Sequence, residues 1–386
     1  MRPSRKSSPK AGSKTGPKAA ANPAAAEMAA LRRKIDALDE QVLALLNQRL
    51  EVAGQIGLVK SAAREPVLDA ARENQVLNRL TSLNQGPLTA SDVSAVFREV
   101  MSAARKLQRP ASAAYFGPEG TFTHLAALKY FGQATELKPA SSIKDVFDTV
   151  ERGRADFGVV PIENSTEGVV NYTLDLLNTT DLKLCGEVYL EIAHYLVSAS
   201  GSRQGIERVY SHPQPLAQCR DWLSKNMPGI PLLEASSTAH AAGIAKADPK
   251  AAAVTPLLAA RIHGLNILEE HIEDNPRNYT RFAVLGRQEC APTGADKTSI
   301  LFSTEDVPGA LHSALAPFAK RGINLTKLES RPIKAQAWRY IFFVDLEGHA
   351  TEAAVTETID ELKGCCRFVK LLGSYPKAHD QERFET

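Results

Sequence analysis

Residues 26–108 repeat their apolar positions at the three- and four-residue spacing of a helix, without the alternation of a strand. The pattern predicts three helices, over residues 26–62, 66–83 and 91–108, with the strongest break at Gly86-Pro87. On the first helix, one apolar seam contains Leu31, Ile35, Leu38, Val42, Leu45, Val52, Ile56 and Val59. Since three helices hardly cover so long a seam, we expect an all-helical block that dimerises.

The pattern changes after Ala111, where short β-type runs alternate with helical stretches and predict an α/β domain. From about Lys297 the order becomes strand, helix, strand, strand, helix, strand, over residues 298–303, 310–321, 323–330, 338–346, 351–362 and 367–374. This βαββαβ order is that of a ferredoxin-like α+β domain. We therefore predict a multidomain chain divided into residues 1–25, 26–109, 112–289, 297–376 and 377–386.

Composition limits the class of protein. With 386 residues, 44% of them hydrophobic and 23% charged, the chain is long enough for two or three globular domains. It holds no apolar run near the ~20 residues of a membrane span, so we expect no membrane partner. The five cysteines are an odd number without CxxC spacing, which predicts free thiols, no metal site and a cytoplasmic location.

The net charge of +2 depends on the first 25 residues, which hold six Lys or Arg and no acidic residue. Without those six, 40 basic residues stand against 44 acidic ones, a net charge of −4. Ser, Pro, Gly and Ala dominate the segment, so we predict a disordered basic tail. A transit peptide and a nucleic-acid-binding arm are alternatives for the tail, although we expect no nucleic-acid partner for the chain.

Arg49 occupies the gap in the apolar seam of the first helix. A lone arginine there can extend its charged end into water or pair with a carboxylate. Arg32 and Lys60 flank the same seam, however. The second helix carries three more charges on one face: Asp69, Arg72 and Glu73. Because unpaired buried charge is costly, this cluster predicts a bound anion between the packed helices.

Distance determines how many chains build such a site. Arg32 and Arg49 are 17 residues apart, about 25 Å along a helix, which is too far for both to grip one small molecule. If both bind the anion, Arg32 must come from an antiparallel second copy. The sequence thus favours a homodimer, with a tetramer as the alternative.

The polar positions of this block, from Arg32 to Gln108, resemble those of the all-helical class of chorismate mutases. The resemblance covers the whole block and implies an intertwined dimer that rearranges chorismate to prephenate. Such a pericyclic reaction needs a compact conformer and stabilisation of charge on the breaking ether oxygen, rather than a nucleophile. No cofactor is implied.

This resemblance assigns roles to individual residues. Arg49 and the partner's Arg32 would hold the two carboxylates of chorismate, and Lys60 and Gln108 would donate to its ether oxygen. Ala104 stands where the family frequently has serine, which is expected to weaken one substrate contact. Three charged residues would fix the ring hydroxyl or support that contact: Glu73, Asp69 and Arg72.

The α/β segment contains four short polar motifs, each after a predicted strand, where α/β folds collect their ligand sites. They are residues 160–165 (Val-Pro-Ile-Glu-Asn-Ser), 211–214 (Ser-His-Pro-Gln), 236–238 (Ser-Ser-Thr) and 278–282 (Asn-Tyr-Thr-Arg-Phe). A glycine-bearing turn at 116–123 offers backbone N–H groups to an anion, although a plain β–α turn explains it equally well. In this order the motifs resemble the catalytic domain of prephenate dehydratases over residues 113–287.

The second resemblance implies two α/β subdomains with a cleft between them, similar to periplasmic ligand-binding proteins, and no metal or organic cofactor. Prephenate would lose CO₂ and water to give phenylpyruvate, and the leaving hydroxyl needs a proton donor. We assign that role to Thr280, with a water or a nearby group as the alternative and His212 as the weaker candidate. Arg281 would either bind a carboxylate or serve as a structural pair. Five further residues would contact or orient the substrate: Glu163, Asn164, Ser165, Thr238 and Phe282.

Two motifs in the last segment resemble the phenylalanine-binding motifs of ACT domains. They are Gly309, Ala310 and Leu311 at the turn into a helix, and Glu329, Ser330, Arg331 and Pro332 at the end of a strand. The resemblance implies L-phenylalanine as an allosteric ligand at a dimer interface. His312 stands where an apolar residue is usual, and a module that only dimerises remains the alternative.

Three functions fit these observations. The first is a bifunctional enzyme that makes prephenate from chorismate and phenylpyruvate from prephenate, under feedback by phenylalanine. The second is a dehydratase whose helical block only dimerises, but apolar residues would stabilise a bare arm better than six charged ones. The third is a non-catalytic amino-acid sensor, which gives no reason for the charges beside the seam.

Overall fold

The computed structural model describes residues 23–63, 68–332 and 340–378. The chain divides into two compact units, one up to Val52 and one from Ala53 onward. The predicted N-terminal tail up to residue 22 and the predicted C-terminal tail from residue 379 lie outside the described residues. Pro66, the predicted start of the second helix, and Trp338, the predicted start of a strand, lie outside them as well.

Helix α1 spans Pro23–Ala63. Its residues up to Val52 form the described part of the first unit. The apolar seam of this part is exposed, since each member keeps half or more of its surface accessible: Leu31, Ile35, Leu38, Val42 and Leu45. The seam was therefore predicted correctly as a stripe, and this unit does not cover it by itself.

The second unit begins with the end of α1 and continues with α2, Ala70–Leu83, and α3, Ala90–Gln108. Helix α2 starts later than predicted because Asp69 caps it, with Oδ1 accepting from the backbone N–H of Arg72 at 2.9 Å. The prediction that Asp69 lies inside the helix beside Arg72 and Glu73 was therefore wrong. Thr89 and Asp92 form a capping box at the start of α3.

Residues 112–286 build two sheets with helices packed on them. The strands are β1 Ser112–Phe116, β2 Glu136–Ala140, β3 Phe157–Asn164, β4 Gly168–Val169, β5 Lys183–Glu191, β6 Tyr195–Ser198, β7 Arg208–Ser211, β8 Leu232–Glu234, β9 Ala251–Thr255, β10 Asn266–Glu269 and β11 Tyr279–Gly286. The helices are α4 Phe122–Phe131, α5 Ile143–Glu151, α6 Asn171–Thr179, α7 Pro213–Gln218, α8 Arg220–Asn226, α9 Thr238–Ala247 and α10 Leu257–His263.

The first sheet has the order β2-β1-β3-β11-β5, with β4 paired to β3, and the second has the order β10-β6-β9-β7-β8. Strand β11 returns from the second subdomain and inserts antiparallel between β3 and β5. Its alternate residues enter different cores, since Phe282 and Val284 pack with α4 while Ala283 and Leu285 face α5. The prediction of two α/β subdomains is confirmed.

The last domain contains β12 Asp296–Ser303, α11 Ala310–Lys320, β13 Leu325–Pro332, β14 Tyr340–Glu347, α12 Ala353–Cys365 and β15 Phe368–Pro376. Its antiparallel sheet has the order β13-β14-β12-β15, so the βαββαβ prediction is confirmed. Strand β15 lies against β5 of the first sheet, where Gly373, at φ 153°, leaves room for the backbone of Leu184. None of the helices in the described ranges is both long and apolar enough to cross a membrane.

Candidate active sites

A cavity of about 1020 Å³ opens between the two α/β subdomains. The first subdomain contributes the turn at 116–123, the end of β3 and the start of β11. The second contributes residues from the starts of α7 and α9. A large concave pocket with converging polar groups between subdomains is typical of a small-molecule site.

Asn164 and Thr280 face each other at one edge of this cavity, because they are register partners on β3 and β11. Nδ2 of Asn164 donates to Oγ1 of Thr280 at 2.8 Å. The backbone N–H groups of Thr166 and Glu167 donate to Oδ1 of the same amide, at 2.9 and 3.0 Å, which fixes the orientation of the amide group. Since Oγ1 of Thr280 accepts this hydrogen bond, its own proton is available to a ligand.

Four of the predicted dehydratase residues line the cavity: Asn164, Thr238, Thr280 and Phe282. Glu163, Ser165 and Arg281 do not line it. Strand alternation turns Glu163 and Arg281 to the opposite face of the sheet. Ser165 instead accepts a hydrogen bond from the backbone N–H of Tyr279 at 2.9 Å. The prediction that Glu163 and Ser165 contact the substrate is therefore not supported by their positions, since neither lines the cavity.

Arg281 is a buried structural pair and not a ligand of the cavity. Its Nε lies 2.9 Å from Oε2 of Glu187, and its Nη1 lies 2.6 Å from Oδ2 of Asp345. Its Nη2 donates to the hydroxyl of Tyr375 at 2.9 Å. Because the partners surround the guanidinium, the predicted carboxylate-binding role was wrong and the structural alternative holds.

The cavity carries little formal positive charge. Among the described residues that line it there is no lysine or arginine. The first-turn residues of α4 and α9 line it instead, including Phe122, Thr123, Thr238 and Ala239. The first N–H groups of a helix have no intrahelical acceptor and carry partial positive charge. The turn at 116–123 therefore leads into one of two helix starts that can hold anionic groups.

Two of the four described histidines that line the cavity differ in their surroundings. His212 accepts from the backbone N–H of Gln214 through Nδ1, at 3.4 Å, and caps α7 as a turn histidine does. His194 was not predicted, and its Nε2 lies 2.9 Å from Oε1 of Gln218. Burial lowers the pKa of His194, so this ring is neutral near pH 7. No sequence motif marks His194, since it lies in a connection between two strands.

The helical site residues of the second unit gather around the last turn of α3. A Cβ placed on Gly57 would lie 2.7 Å from Cγ of Gln108, so α1 and α3 touch there. Lys60 follows Gly57 by one turn on the same helix face. Oε1 of Gln108 is buried without a hydrogen-bond partner among the described residues. A buried amide in that state is typical of a site that a ligand completes.

Glu73 is paired with Arg105, a residue that no sequence motif marked. Nη1 of Arg105 contacts Oε1 of Glu73, and Nη2 donates to the carbonyl of Phe131 in α4. Arg105 is 5% exposed and lies one turn before Gln108. Its place on the buried face of α3 was the available signal, because an arginine there needs a partner. Ala104 beside it is also buried.

Gly57 and Gly54 provide a matched pair of substitutions on α1. We expect Gly57→Ala to lower the free energy of unfolding by about 1–3 kcal/mol, because the new methyl group would overlap Gln108. We expect Gly54→Ala to raise it by about 0.5–1 kcal/mol, since no atom lies within 4 Å of the added Cβ and alanine favours a helix. Urea denaturation of both variants measures the difference. Equal midpoints for the two variants would show that the contact between α1 and α3 does not form.

The two motifs of the last domain lie at its surface. Gly309 has φ 80° and precedes α11, where the left-handed backbone favours glycine. Glu329, Ser330, Arg331 and Pro332 end strand β13. Nη1 of Arg331 lies 2.9 Å from Oδ1 of Asp175 and also contacts the carbonyl of Asn171, so this arginine joins β13 to α6.

Comparison with known proteins identifies three family regions. The models for Chorismate mutase type II, Prephenate dehydratase and the ACT domain match residues 31–109, 113–290 and 298–364. A bifunctional chorismate mutase/prephenate dehydratase of Aquifex aeolicus is 48% identical over 360 residues, covering 92% of this chain and 99% of the relative. One from Pseudomonas aeruginosa is 44% identical over 358 residues, covering 91% and 98%. The structure of an Arthrobacter aurescens prephenate dehydratase in complex with L-Phe covers 70% of this chain and 92% of that one, with 38% identity and a TM-score of 0.65.

Proposed function

The chain belongs to the family of bifunctional chorismate mutase/prephenate dehydratases, and we propose that it dehydrates prephenate at the Asn164–Thr280 edge of the cavity and forms prephenate in the helical block. The main support for the dehydratase site is the orientation of the Thr280 hydroxyl. Asn164 holds it as an acceptor at 2.8 Å, which leaves its proton free to donate into the cavity.

Dehydration of prephenate needs a donor at the leaving hydroxyl. As the ring carboxylate leaves as CO₂, the electron pair of the broken C–C bond enters the ring, and the C–O bond to the hydroxyl breaks. A proton or a strong hydrogen bond at that oxygen stabilises the charge that develops on it. We assign this contact to Thr280, and we assign to Asn164 the task of fixing the rotamer of Thr280. A water remains the alternative source of the proton itself.

The two carboxylates of prephenate need positive partners, and helix starts supply them. The first turns of α4 and α9 belong to different subdomains and both line the cavity. Thr121 and Ser237 cap these helices through the backbone N–H groups of His124 and His240. The N–H groups of the preceding residues stay available to an anion. We propose that Thr238 belongs to this contact, and that Phe282 packs on the apolar part of the substrate.

For the mutase reaction, we propose that Arg49 and the partner's Arg32 hold the carboxylates of chorismate. Lys60 and Gln108 would donate to the ether oxygen, Gln108 through its amide NH₂ group, because the ether oxygen can only accept a hydrogen bond. Three charged residues would fix the ring hydroxyl of chorismate or support that contact: Glu73, Asp69 and Arg72. The exposed seam of α1 supports a homodimer, with a tetramer as the alternative. The free cysteines in the described ranges fit a reducing compartment, and we propose the cytoplasm.

We propose L-phenylalanine as the allosteric ligand of the ACT domain. The relative from Arthrobacter aurescens was solved with L-Phe. The motifs 309–311 and 329–332 are present here, with His312 as the departure from the usual apolar residue. Phenylalanine is one transamination away from phenylpyruvate, so its binding would give feedback on the dehydratase.

One assay tests the proposed function. Purified protein is given chorismate, and prephenate and phenylpyruvate are followed with and without phenylalanine. We expect transient prephenate, then phenylpyruvate, and slower phenylpyruvate formation when phenylalanine is present. Accumulation of prephenate alone would exclude the dehydratase activity. Direct use of added prephenate without use of chorismate would indicate that the helical block only dimerises.

A further inference from the structure

A layer of buried charges lies behind the Asn164–Thr280 pair. Arg281 and Glu187 come from strands β11 and β5 of the dehydratase, whereas Asp345 and Lys297 come from strands β14 and β12 of the ACT domain. Nζ of Lys297 lies 2.9 Å from Oε1 of Glu187, and Arg281 contacts both carboxylates. All four residues are at most 5% exposed. The two domains therefore share one ionic cluster.

The charges in this layer depend on one another. Burial alone would raise the pKa of Asp345, but Arg281 and Lys297 outweigh it and hold that pKa below its usual value. The pKa of Arg281 is raised because Asp345 and Glu187 overcome the opposing effect of burial. Removing one partner of a buried cluster leaves an uncompensated charge, so the remaining side chains must move. Any such movement acts on β11 next to Thr280.

A second ion pair links the same region to the phenylalanine motif. Nζ of Lys327 lies 2.6 Å from Oε2 of Glu163. Glu163 precedes Asn164 and is the register partner of Arg281. Lys327 lies on β13, two residues before Glu329 of the motif. A change in β13 therefore reaches Asn164 through one side-chain contact.

Lys327 and Glu163 lie close together, but the angles at their contact do not suit a hydrogen bond. The ammonium of Lys327 is buried and makes no hydrogen bond of normal angle to any described residue. Its other notable neighbour is the ring of Phe343, whose centroid lies 5.8 Å away. A pair without good hydrogen bonds gains little from its present arrangement, because charge pairing offsets desolvation only when the geometry is good. It can be rearranged at small cost.

We propose that Asp345 and Lys327 are positioning residues for dehydration: the ACT sheet holds Asn164 and Thr280 in place through this charged layer, and phenylalanine slows the reaction by altering it. The proposal rests on the proposed function, since it assumes that Thr280 contacts prephenate and that the ACT domain binds phenylalanine. Arg331 cannot test it, because that residue belongs to the motif itself. Lys327 can, since it lies outside both the motif and the cavity.

The main test compares Lys327→Met with Lys370→Met in the full-length protein. Lys370 also joins the ACT domain to the dehydratase, but its Nζ donates to the carbonyls of Leu177 and Asn178 at the end of α6, at 3.1 and 2.9 Å. We expect Lys327→Met to lower the dehydratase kcat about tenfold with KM nearly unchanged, and to lose most of its response to phenylalanine. Lys370→Met should keep the wild-type kcat and inhibition. Lys327→Arg should restore both properties.

Calorimetric titration with phenylalanine separates coupling from binding. We expect Lys327→Met to bind phenylalanine with a Kd within about twofold of wild type, because only the coupling is lost. Full inhibition of this variant, or loss of phenylalanine binding, would overturn the proposal. So would the same defect in Lys370→Met.

A second variant keeps the proposal testable without phenylalanine. Asp345→Asn should lower the dehydratase kcat and leave the KM for prephenate and the mutase rate unchanged. If the wild-type protein turned over no prephenate, the proposed function itself would fail. If the wild-type protein turned over prephenate but did not respond to phenylalanine, the proposed feedback would fail. A normal kcat in Asp345→Asn would overturn the positioning role as well.

Discussion

Thr280→Ala is expected to lose dehydration of prephenate and to keep conversion of chorismate to prephenate. The substitution removes the hydroxyl that we propose as the donor to the leaving group, whereas the sheet contacts of β11 remain. We expect kcat for phenylpyruvate formation to fall about 10²- to 10⁴-fold, the range for a lost acid–base group. KM should change less, because the helix starts that we propose as partners of the carboxylates are untouched. Phenylpyruvate formation from added prephenate measures the effect.

Thr280→Ser is the matched control, since it keeps the hydroxyl that Nδ2 of Asn164 contacts at 2.8 Å. We expect this variant to retain most of the activity. Equal losses in both variants would mean that the methyl group and not the hydroxyl matters. Loss of the mutase activity in Thr280→Ala would contradict the assignment of two separate sites.

The behaviour of Thr280 and Arg281 shows what a sequence can and cannot predict about this site. The motif and the strand pattern placed both residues together, and alternation along β11 requires that they face opposite sides. Which side faces the cavity depends on the partners of Arg281. Glu187 is 94 residues away and Asp345 is 64 residues away, in different domains. No local pattern contains that information, so the role of Arg281 could not be settled from the sequence.

In the helical block, too, local features could be predicted from the sequence and contacts between helices could not. The apolar seam of α1 followed from spacing alone, because helical periodicity is a local property. The start of α2 was placed too early, although Asp69 is a favourable capping residue and the signal was present. The pairing of Glu73 with Arg105 depends on how α2 packs on α3, which spacing within one helix does not determine. The identity of the partner of Arg105 was therefore the part that needed the structure.

We expect Arg49→Ala to lower the mutase activity about 10²- to 10³-fold, because one carboxylate of chorismate loses the cation that we propose holds the compact conformer. Nη1 of Arg49 is buried and has no hydrogen-bond partner in the described part of the chain, which is consistent with a group that awaits a ligand. Dehydration of added prephenate should be unchanged. Arg49→Lys should be little more active than Arg49→Ala, since an ammonium group does not form the bidentate contact of a guanidinium with a carboxylate.

Mixing two inactive variants tests whether the site is shared between chains. In a mixed dimer of Arg32→Ala and Arg49→Ala, one site receives both intact arginines and the other receives neither. Random exchange at equal amounts should therefore restore about a quarter of the wild-type mutase activity, because half of the dimers are mixed and each has one intact site. Activity that stays absent after subunit exchange, shown by mass spectrometry of differently tagged chains, would indicate that each chain uses its own arginines. Because Arg32 and Arg49 are about 25 Å apart on one helix, that outcome would also exclude Arg32 as a second carboxylate ligand.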